Sequence, residues 1–412
     1  MSKIEQLIKK FCPKGVEWVS LGEIATDFFR GNGILRTQVT EEGTPCVRYG
    51  EIYTAYGLSF SKCVSHTNLS YLKSPKYIHT GDIVFAITGE KVEEIGKSTV
   101  YVGNEPCLAG GDTAVMRHKQ NGRYLAYALA TNDAQRQKSR GKKKSKVVHA
   151  SIPDLKKVKI PLPPLLVQDE IANALDAMDA VVKALEEERN ARFEQFEAMR
   201  DKLLKFANEG GGYCKITIDE FGEFYAGLTG KSKKDFGVGE GMFLTYMDIY
   251  SNFAAPARPS GVVDIGIGEK QSMVKRGDVI FTGSSETKDE AGMTCVVEKD
   301  YDQPVYLNSF CFGLRVKNVE GVCVVFMKYF FRSTVVRGLI AKTANGVTRF
   351  NISKDALRKV QICVPEIEEQ RRIAKTLDSF ASILVALDEE IAARREQFAG
   401  WLEKLMEFRE AA

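Results

Sequence analysis

Between Ser151 and Phe206 the chain carries a segment that recurs, without a gap, 202 residues later between Ser353 and Phe408. About 23 of its 56 positions are identical, among them Gln168, Ile171-Ala172, Leu175-Asp176, Ala191-Arg192, Glu194-Gln195-Phe196 and Lys202-Leu203. Their matches are Gln370, Ile373-Ala374, Leu377-Asp378, Ala393-Arg394, Glu396-Gln397-Phe398 and Lys404-Leu405. Solenoid units repeat every 20 to 50 residues or so, far less than this offset. The chain is therefore a duplicated module, and its fold should have two similar halves.

Within the first copy, the apolar residues Ile171, Leu175, Met178, Val182, Leu185, Phe196, Met199 and Leu203 follow steps of three and four. The second copy repeats the pattern with Ile373, Leu377, Phe380, Leu384, Leu387, Ile391, Phe398, Trp401 and Leu405. Such spacing is a heptad seam, which needs an apolar partner along its length. A helix over 168–206 would be a rod of roughly 58 Å at 1.5 Å per residue. The simplest arrangement packs the two rods on each other, antiparallel about a pseudo-dyad; an intermolecular coiled coil is the alternative. Arg192 and Arg394 interrupt the seam at the same place. Each either sits in the core and fixes register, or lies at the seam edge with its guanidinium near Glu188 or Glu390.

A proline-bearing, strand-like stretch precedes each rod: Val158 to Pro164 in one copy, Val360 to Pro365 in the other. Prolines confine such strands to a sheet edge and end them before the helix. After the first rod, Asn208 to Gly212 reads as a flexible boundary. The remaining regions, 1–150 and 207–352, read as mixed α/β with short β-rich runs. Gly81 to Phe85 echoes Gly277 to Phe281, and Val47 to Tyr53 echoes Leu244 to Tyr250, so these regions share an ancestor but have diverged.

The formal charge of +4 is unevenly spread. Residues 1–167 hold 25 Lys/Arg against 15 Asp/Glu, whereas 168–206 hold 6 against 10 and 367–412 hold 7 against 10. A polyanion would meet the globular parts and not the rods. Nine single cysteines, with no C-x-x-C pair, argue against a disulfide framework or zinc cluster. The N-terminus has no signal-peptide core and the longest apolar run is about ten residues, so a cytoplasmic, non-membrane protein is expected.

No Walker A loop, H-E-x-x-H, G-x-S-x-G or N-P-P-[YF] motif occurs, and the four histidines are widely spaced. The chain is expected to have no catalytic, cofactor or metal site of its own. Seven cations lie between Arg136 and Lys146: Arg136, Lys138, Arg140, Lys142, Lys143, Lys144 and Lys146. Such a run binds phosphates in a salt-dependent way, or is a solvated loop. The second half has a sparser counterpart in Lys342, Asn345 and Arg349. Tyr49, Glu51 and Tyr53 recur as Tyr246, Asp248 and Tyr250; they contact bases, or they alternate across a strand that holds the fold. Divergent polar loops supply further contact candidates: Arg30 and Asn32, Thr88 and Lys91, Lys231, Lys233 and Lys234, Ser285 and Lys288.

One known pattern unites these features. Ile160-Pro161-Leu162-Pro163-Pro164 followed by Gln168-Asp169-Glu170-Ile171-Ala172-Asn173-Ala174-Leu175-Asp176, then Val364-Pro365 followed by Gln370-Arg371-Arg372-Ile373-Ala374-Lys375-Thr376-Leu377-Asp378, resembles the specificity subunits of type I DNA restriction-modification enzymes. The resemblance covers essentially the whole chain; Glu366 stands where a second proline would. It implies an α+β fold with two similar β-rich target-recognition domains, 1–155 and 210–357, joined by two antiparallel coiled-coil spacers. The spacers are 156–209, with its helix at 168–206, and 358–412, with its helix at 367–409.

By that resemblance the chain would bind double-stranded DNA at a bipartite, asymmetric target, with the helices as a ruler between half-sites. Methyltransferase subunits, two as a rule, would dock on the spacer and methylate adenine at N6, and restriction motor-nuclease subunits would join for cleavage. S-adenosylmethionine, ATP and Mg would belong to those partners. A related methylation or phage-defence system without the motor-nuclease, and a coiled-coil scaffold with no DNA role, are the alternatives.

Overall fold

The computed structural model describes residues 3–142, 146–206 and 214–411. They form two compact units, one of residues 1–186 with 390–412 and the other of residues 187–389. Each repeated segment forms one long helix, Leu165–Leu203 and Ile367–Met406, of 39 and 40 residues. Each unit therefore contains a stretch of both long helices.

In the first unit, a five-stranded sheet runs Ala25–Arg30, Thr113–His118, Ile83–Ala86, Ser98–Tyr101 and Ser59–Phe60. A second five-stranded sheet is ordered Val39–Thr40, Ser65–Thr67, Thr44–Val47, Cys107–Ala109 and Tyr77–Ile78. The second unit has a four-stranded counterpart of the first sheet, ordered Gly222–Ala226, Cys311–Val316, Val279–Thr282 and Thr294–Val296. Its central strand Val279–Thr282 is fully buried, which is why it reads as a short apolar run. The proline-ended segments are short strands as expected: Lys159–Pro161 pairs with Trp18–Ser20, and Gln361–Val364 with Cys214–Thr217.

Each unit packs its stretch of both long helices onto its own core. In the first, Ile171, Leu175, Leu402 and Met406 join one cluster with Tyr124, Leu125 and Phe85. Tyr127 donates to Asp176 at 2.6 Å and meets the Phe398 ring at 6.1 Å, while Arg395 pairs with Glu186 at 2.6 Å. In the second unit, Tyr329 donates to Asp378 at 2.6 Å and meets Phe196 at 5.8 Å, while Arg189 pairs with Asp388 at 3.0 Å. Rising numbers on one helix meet falling numbers on the other, so the stretches are antiparallel within each unit.

Of the seam residues, Ile171, Leu175, Val182, Phe196, Ile373, Leu377 and Leu384 are buried, and Met178, Leu185, Leu203, Phe380, Leu387, Phe398 and Leu405 are half-buried. Trp401, expected in the seam, is 39% exposed instead, and its neighbour Leu402 is buried. Near its end this helix faces the globular core as well as another helix, so the strict heptad register lapses. Both interrupting arginines take the edge position: Arg192 reaches Glu188 at 3.4 Å and Arg394 reaches Glu390 at 2.8 Å.

Candidate nucleic-acid interface

In each unit one short ladder carries one of the divergent polar loops, Thr88 to Lys91 in the first and Ser285 to Lys288 in the second. Thr88–Gly89 pairs antiparallel with Val148–His149, with His149 opposite Thr88 and Val148 opposite Gly89. In the second unit Ser284–Ser285 pairs with Phe350–Ile352, with Asn351 opposite Ser284 and Phe350 opposite Ser285. His149 to Asn351 and Val148 to Phe350 are steps of 202, the offset of the repeat, so the two ladders share a register. The residues that precede each second strand are accordingly equivalent in sequence: the end of the cation run in the first unit, and Asn345 to Arg349 in the second.

The cation run is not one solvated comb. Arg136 pairs with Asp133 at 3.3 Å, and Lys142 is largely covered, bonded to Asp154 at 2.8 Å. Lys138 is 4% exposed and donates to the Leu129 carbonyl at 2.9 Å; burial pulls its ammonium down to about 7. Among the described residues its acceptor is this carbonyl at the end of the helix Gly122–Ala130, so the amine serves as a helix cap. Arg140 and Lys146 are exposed and have no ion pair among the described residues. Lys143 and Lys144 lie outside the described residues.

Several other candidates are bound up in the fold. Asn32 uses both ends of its amide, accepting from the Lys76 amide at 2.8 Å and donating to the Ser74 carbonyl at 2.8 Å. The Lys231 side chain is 8% exposed and bonded to Glu269 at 2.5 Å, an interaction that holds the Glu269 carboxyl down at about 2. Tyr49 to Tyr53 and Tyr246 to Tyr250 are not strand residues; they lie on the short helices Tyr49–Thr54 and Tyr246–Ser251. Glu51 accepts from the Arg48 amide at 2.9 Å and from Ser65 at 2.5 Å. Asp248 accepts from the Thr245 amide and the Ser260 hydroxyl, both at 2.8 Å. Each carboxylate caps its helix, Glu51 with both oxygens bonded and Asp248 through Oδ2 alone among the described residues. Tyr246 donates to the Ser284 carbonyl at 2.9 Å.

What remains accessible differs between the units. In the first, Arg30 is 61% exposed and paired with Asp112, Lys91 pairs with Glu94 at 3.0 Å, Tyr49 is 36% exposed, and the buried Thr88 hydroxyl bonds the His149 ring. In the second, Lys233, Lys234, Lys288, Lys342, Asn345 and Arg349 are exposed, while Ser285 is buried beside Glu290. Sequence reasoning missed Phe310, which is 65% exposed with the Arg349 guanidinium 5.9 Å from its ring centroid. A lone Phe reads as core; the signal was its place directly after the turn-forming Asn308-Ser309. Unpaired cations on protruding loops bind phosphates, and oriented polar side chains among them can reach base edges. Among the described residues no group of three or more His, Cys, Asp or Glu is placed to hold a metal, and no helix is long and apolar enough to cross a membrane.

Known proteins share this pattern. The family model described as the type I restriction modification DNA specificity domain matches residues 13–195 and again 212–395. A type I restriction enzyme specificity subunit of Escherichia coli is 27% identical over 61% of this chain, a match that spans 63% of that subunit's length. A putative one of Haemophilus influenzae is 26% identical over 68% of this chain and 70% of its own. Among solved structures, the type I S subunit from M. genitalium superposes with a TM-score of 0.51 at 15% identity, covering 95% of this chain and 96% of that one. A chain from a study of assembly and conformational transition in the type I system reaches 0.60 at 18% identity, covering 96% and 98%. At these identities the structures show a common fold. With one matched domain in each half, the chain belongs to the type I restriction-modification DNA specificity family.

Proposed function

We propose that the chain is the sequence-reading subunit of a type I restriction-modification complex. Each unit contacts one half of a bipartite, asymmetric DNA target. The chain itself catalyses nothing; it brings methyltransferase subunits, which modify adenine at N6, and restriction motor-nuclease subunits to that target. S-adenosylmethionine, ATP and Mg act on those partners. The observation that supports this reading best is the pair of ladders, alike in register but carrying different exposed side chains at equivalent loops. Two readers on one frame are what an asymmetric target requires. The helices Leu165–Leu203 and Ile367–Met406, each shared between both units, set the interval between the half-sites.

Selection of random duplex DNA by the full chain bound to its methyltransferase partner tests the reading. Two enriched blocks separated by an unspecific gap are expected. Absence of any enrichment would leave a protein scaffold as the better account. Inserting four residues after Leu185 and after Leu387 should change the gap and leave both blocks intact; altered blocks with an unchanged gap would refute the ruler.

A further inference from the structure

The exposed arginine of the second unit's ladder is held in place by groups that do not neutralise it. Arg349 Nε donates to the Ser284 hydroxyl at 3.0 Å, and the guanidinium carbon lies 5.9 Å from the centroid of Phe310. Ser284 is 5% exposed and fixed in its strand opposite Asn351, with its carbonyl taken by Tyr246. The loop leading to Arg349 is equally constrained. Gly346 has φ +140°, and a Cβ there would lie 2.0 Å from the Arg349 carbonyl oxygen, so glycine is needed to close it.

Among the described residues no acceptor meets either terminal nitrogen of Arg349, and no carboxylate pairs with it. Fixing an exposed arginine costs rotamer entropy, and no ion pair offsets it here. With Nε occupied, the two terminal nitrogens form a fork suited to two acceptors side by side. Guanine presents such a pair, O6 and N7, in the major groove. A phosphate presents one too, but the neighbours favour a base: Phe310 and Val347 are 65% and 92% exposed, apolar surfaces that can cover a base or a thymine methyl and have nothing to offer a phosphate. The first unit lacks the device. Val147 stands where the repeat places Arg349, and Asp112, paired with Arg30, directly precedes the strand Thr113–His118 as Phe310 precedes Cys311–Val316, its equivalent by register.

We propose that Arg349, positioned by Ser284 and Phe310, reads the O6/N7 edge of a guanine in the half-site contacted by the second unit. The proposal rests on the DNA-reading role argued above. Its test is the same selection from random duplex DNA by the full chain with its methyltransferase partner, comparing wild type with Arg349→Ala, Arg349→Lys and Ser284→Ala, each followed over a salt titration. The wild-type consensus should contain a guanine at which Arg349→Ala and Arg349→Lys lose roughly 5- to 150-fold discrimination, with the other half-site unchanged. Ser284→Ala should weaken discrimination at that guanine alone. Uniform weakening on all sequences with a smaller salt slope would make Arg349 a phosphate contact and overturn the proposal, as would an unchanged consensus. If the wild type enriches no sequence at all, it is the DNA-reading role that fails.

Discussion

The two units share several side chains that seat the long helices and differ in those that project from the ladder. Gln168 and Gln370, each 1% exposed, do identical work at the start of the long helices. Gln168 accepts from the Asn121 amide and donates to the Pro163 carbonyl; Gln370 accepts from the Cys323 amide and donates to the Pro365 carbonyl. The Asn132 amide meets Glu403 at 2.7 Å, and its counterpart Thr334 meets Asp201 at 3.2 Å, so each unit seats a helix N-terminus on a carboxylate from a long helix. Outside, Val147 faces Arg349 across the alignment, Asp112 and Phe310 directly precede strands equivalent by register, and the lysine run faces Asn345-Gly346-Val347. Groups that hold the helices are common to both units, and groups that project from the ladder are not. That division is expected where geometry must be kept while a surface changes.

The interior is not uniform: Lys138 is buried where the second unit has Ile340. Introducing Ile340→Lys should give the largest effect, destabilising the second unit by about 4 kcal/mol, because an amine would enter a fully apolar site. The converse change, Lys138→Ile, should stabilise the first unit in a pH-dependent way. With a folded value near 7 and an unfolded value near 10.4, the unfolded chain binds more protons between these limits, so wild-type stability rises with pH across the window. The advantage of Lys138→Ile should therefore shrink by roughly 3 kcal/mol between pH 7 and pH 10, read by denaturant unfolding at each pH. A pH-independent difference would mean that the amine is not neutralised by folding.

Next in size, Gln168→Leu and Gln370→Leu should each cost about 2 to 3 kcal/mol, since each strands buried backbone groups. Unequal losses would show that the frame is less shared than its hydrogen bonds suggest. Tyr127→Phe and Tyr329→Phe should each cost about 1 kcal/mol, because Asp176 and Asp378 keep Arg123 and Lys328 as partners. Smallest of all, Glu186→Gln and Asp388→Asn remove exposed pairs between the long helices and should cost about 0.5 kcal/mol or less, vanishing at high salt.

Much of the frame was legible because it is written in long periodic signals. The heptad steps exposed both helices, and a constant offset of 202 exposed the duplication. Registers failed where the helix met something other than a helix, at Trp401 and Leu402. The interface was less legible, because exposure and pairing are three-dimensional properties. Lys138, Lys142 and Lys231 look like solvated cations in one dimension, yet burial or a carboxylate removes each. Glu51 and Asp248 sit in an alternating pattern that mimics a strand, but their side chains cap the helices they begin. Arg349 was named only as one cation of a sparse run; the Ser284 hydroxyl and the Phe310 ring are what distinguish it.

The central claim, one frame with two different readers, is tested most directly by selecting DNA with two sets of loop variants of the full chain in complex with its methyltransferase partner. One set carries Arg140→Ala and Lys146→Ala in the first unit, the other Asn345→Ala and Arg349→Ala in the second. The account predicts that each set alters preference or affinity at one half of the target and leaves the other half and the gap untouched. Both sets changing the same bases, or either changing the gap, would contradict it.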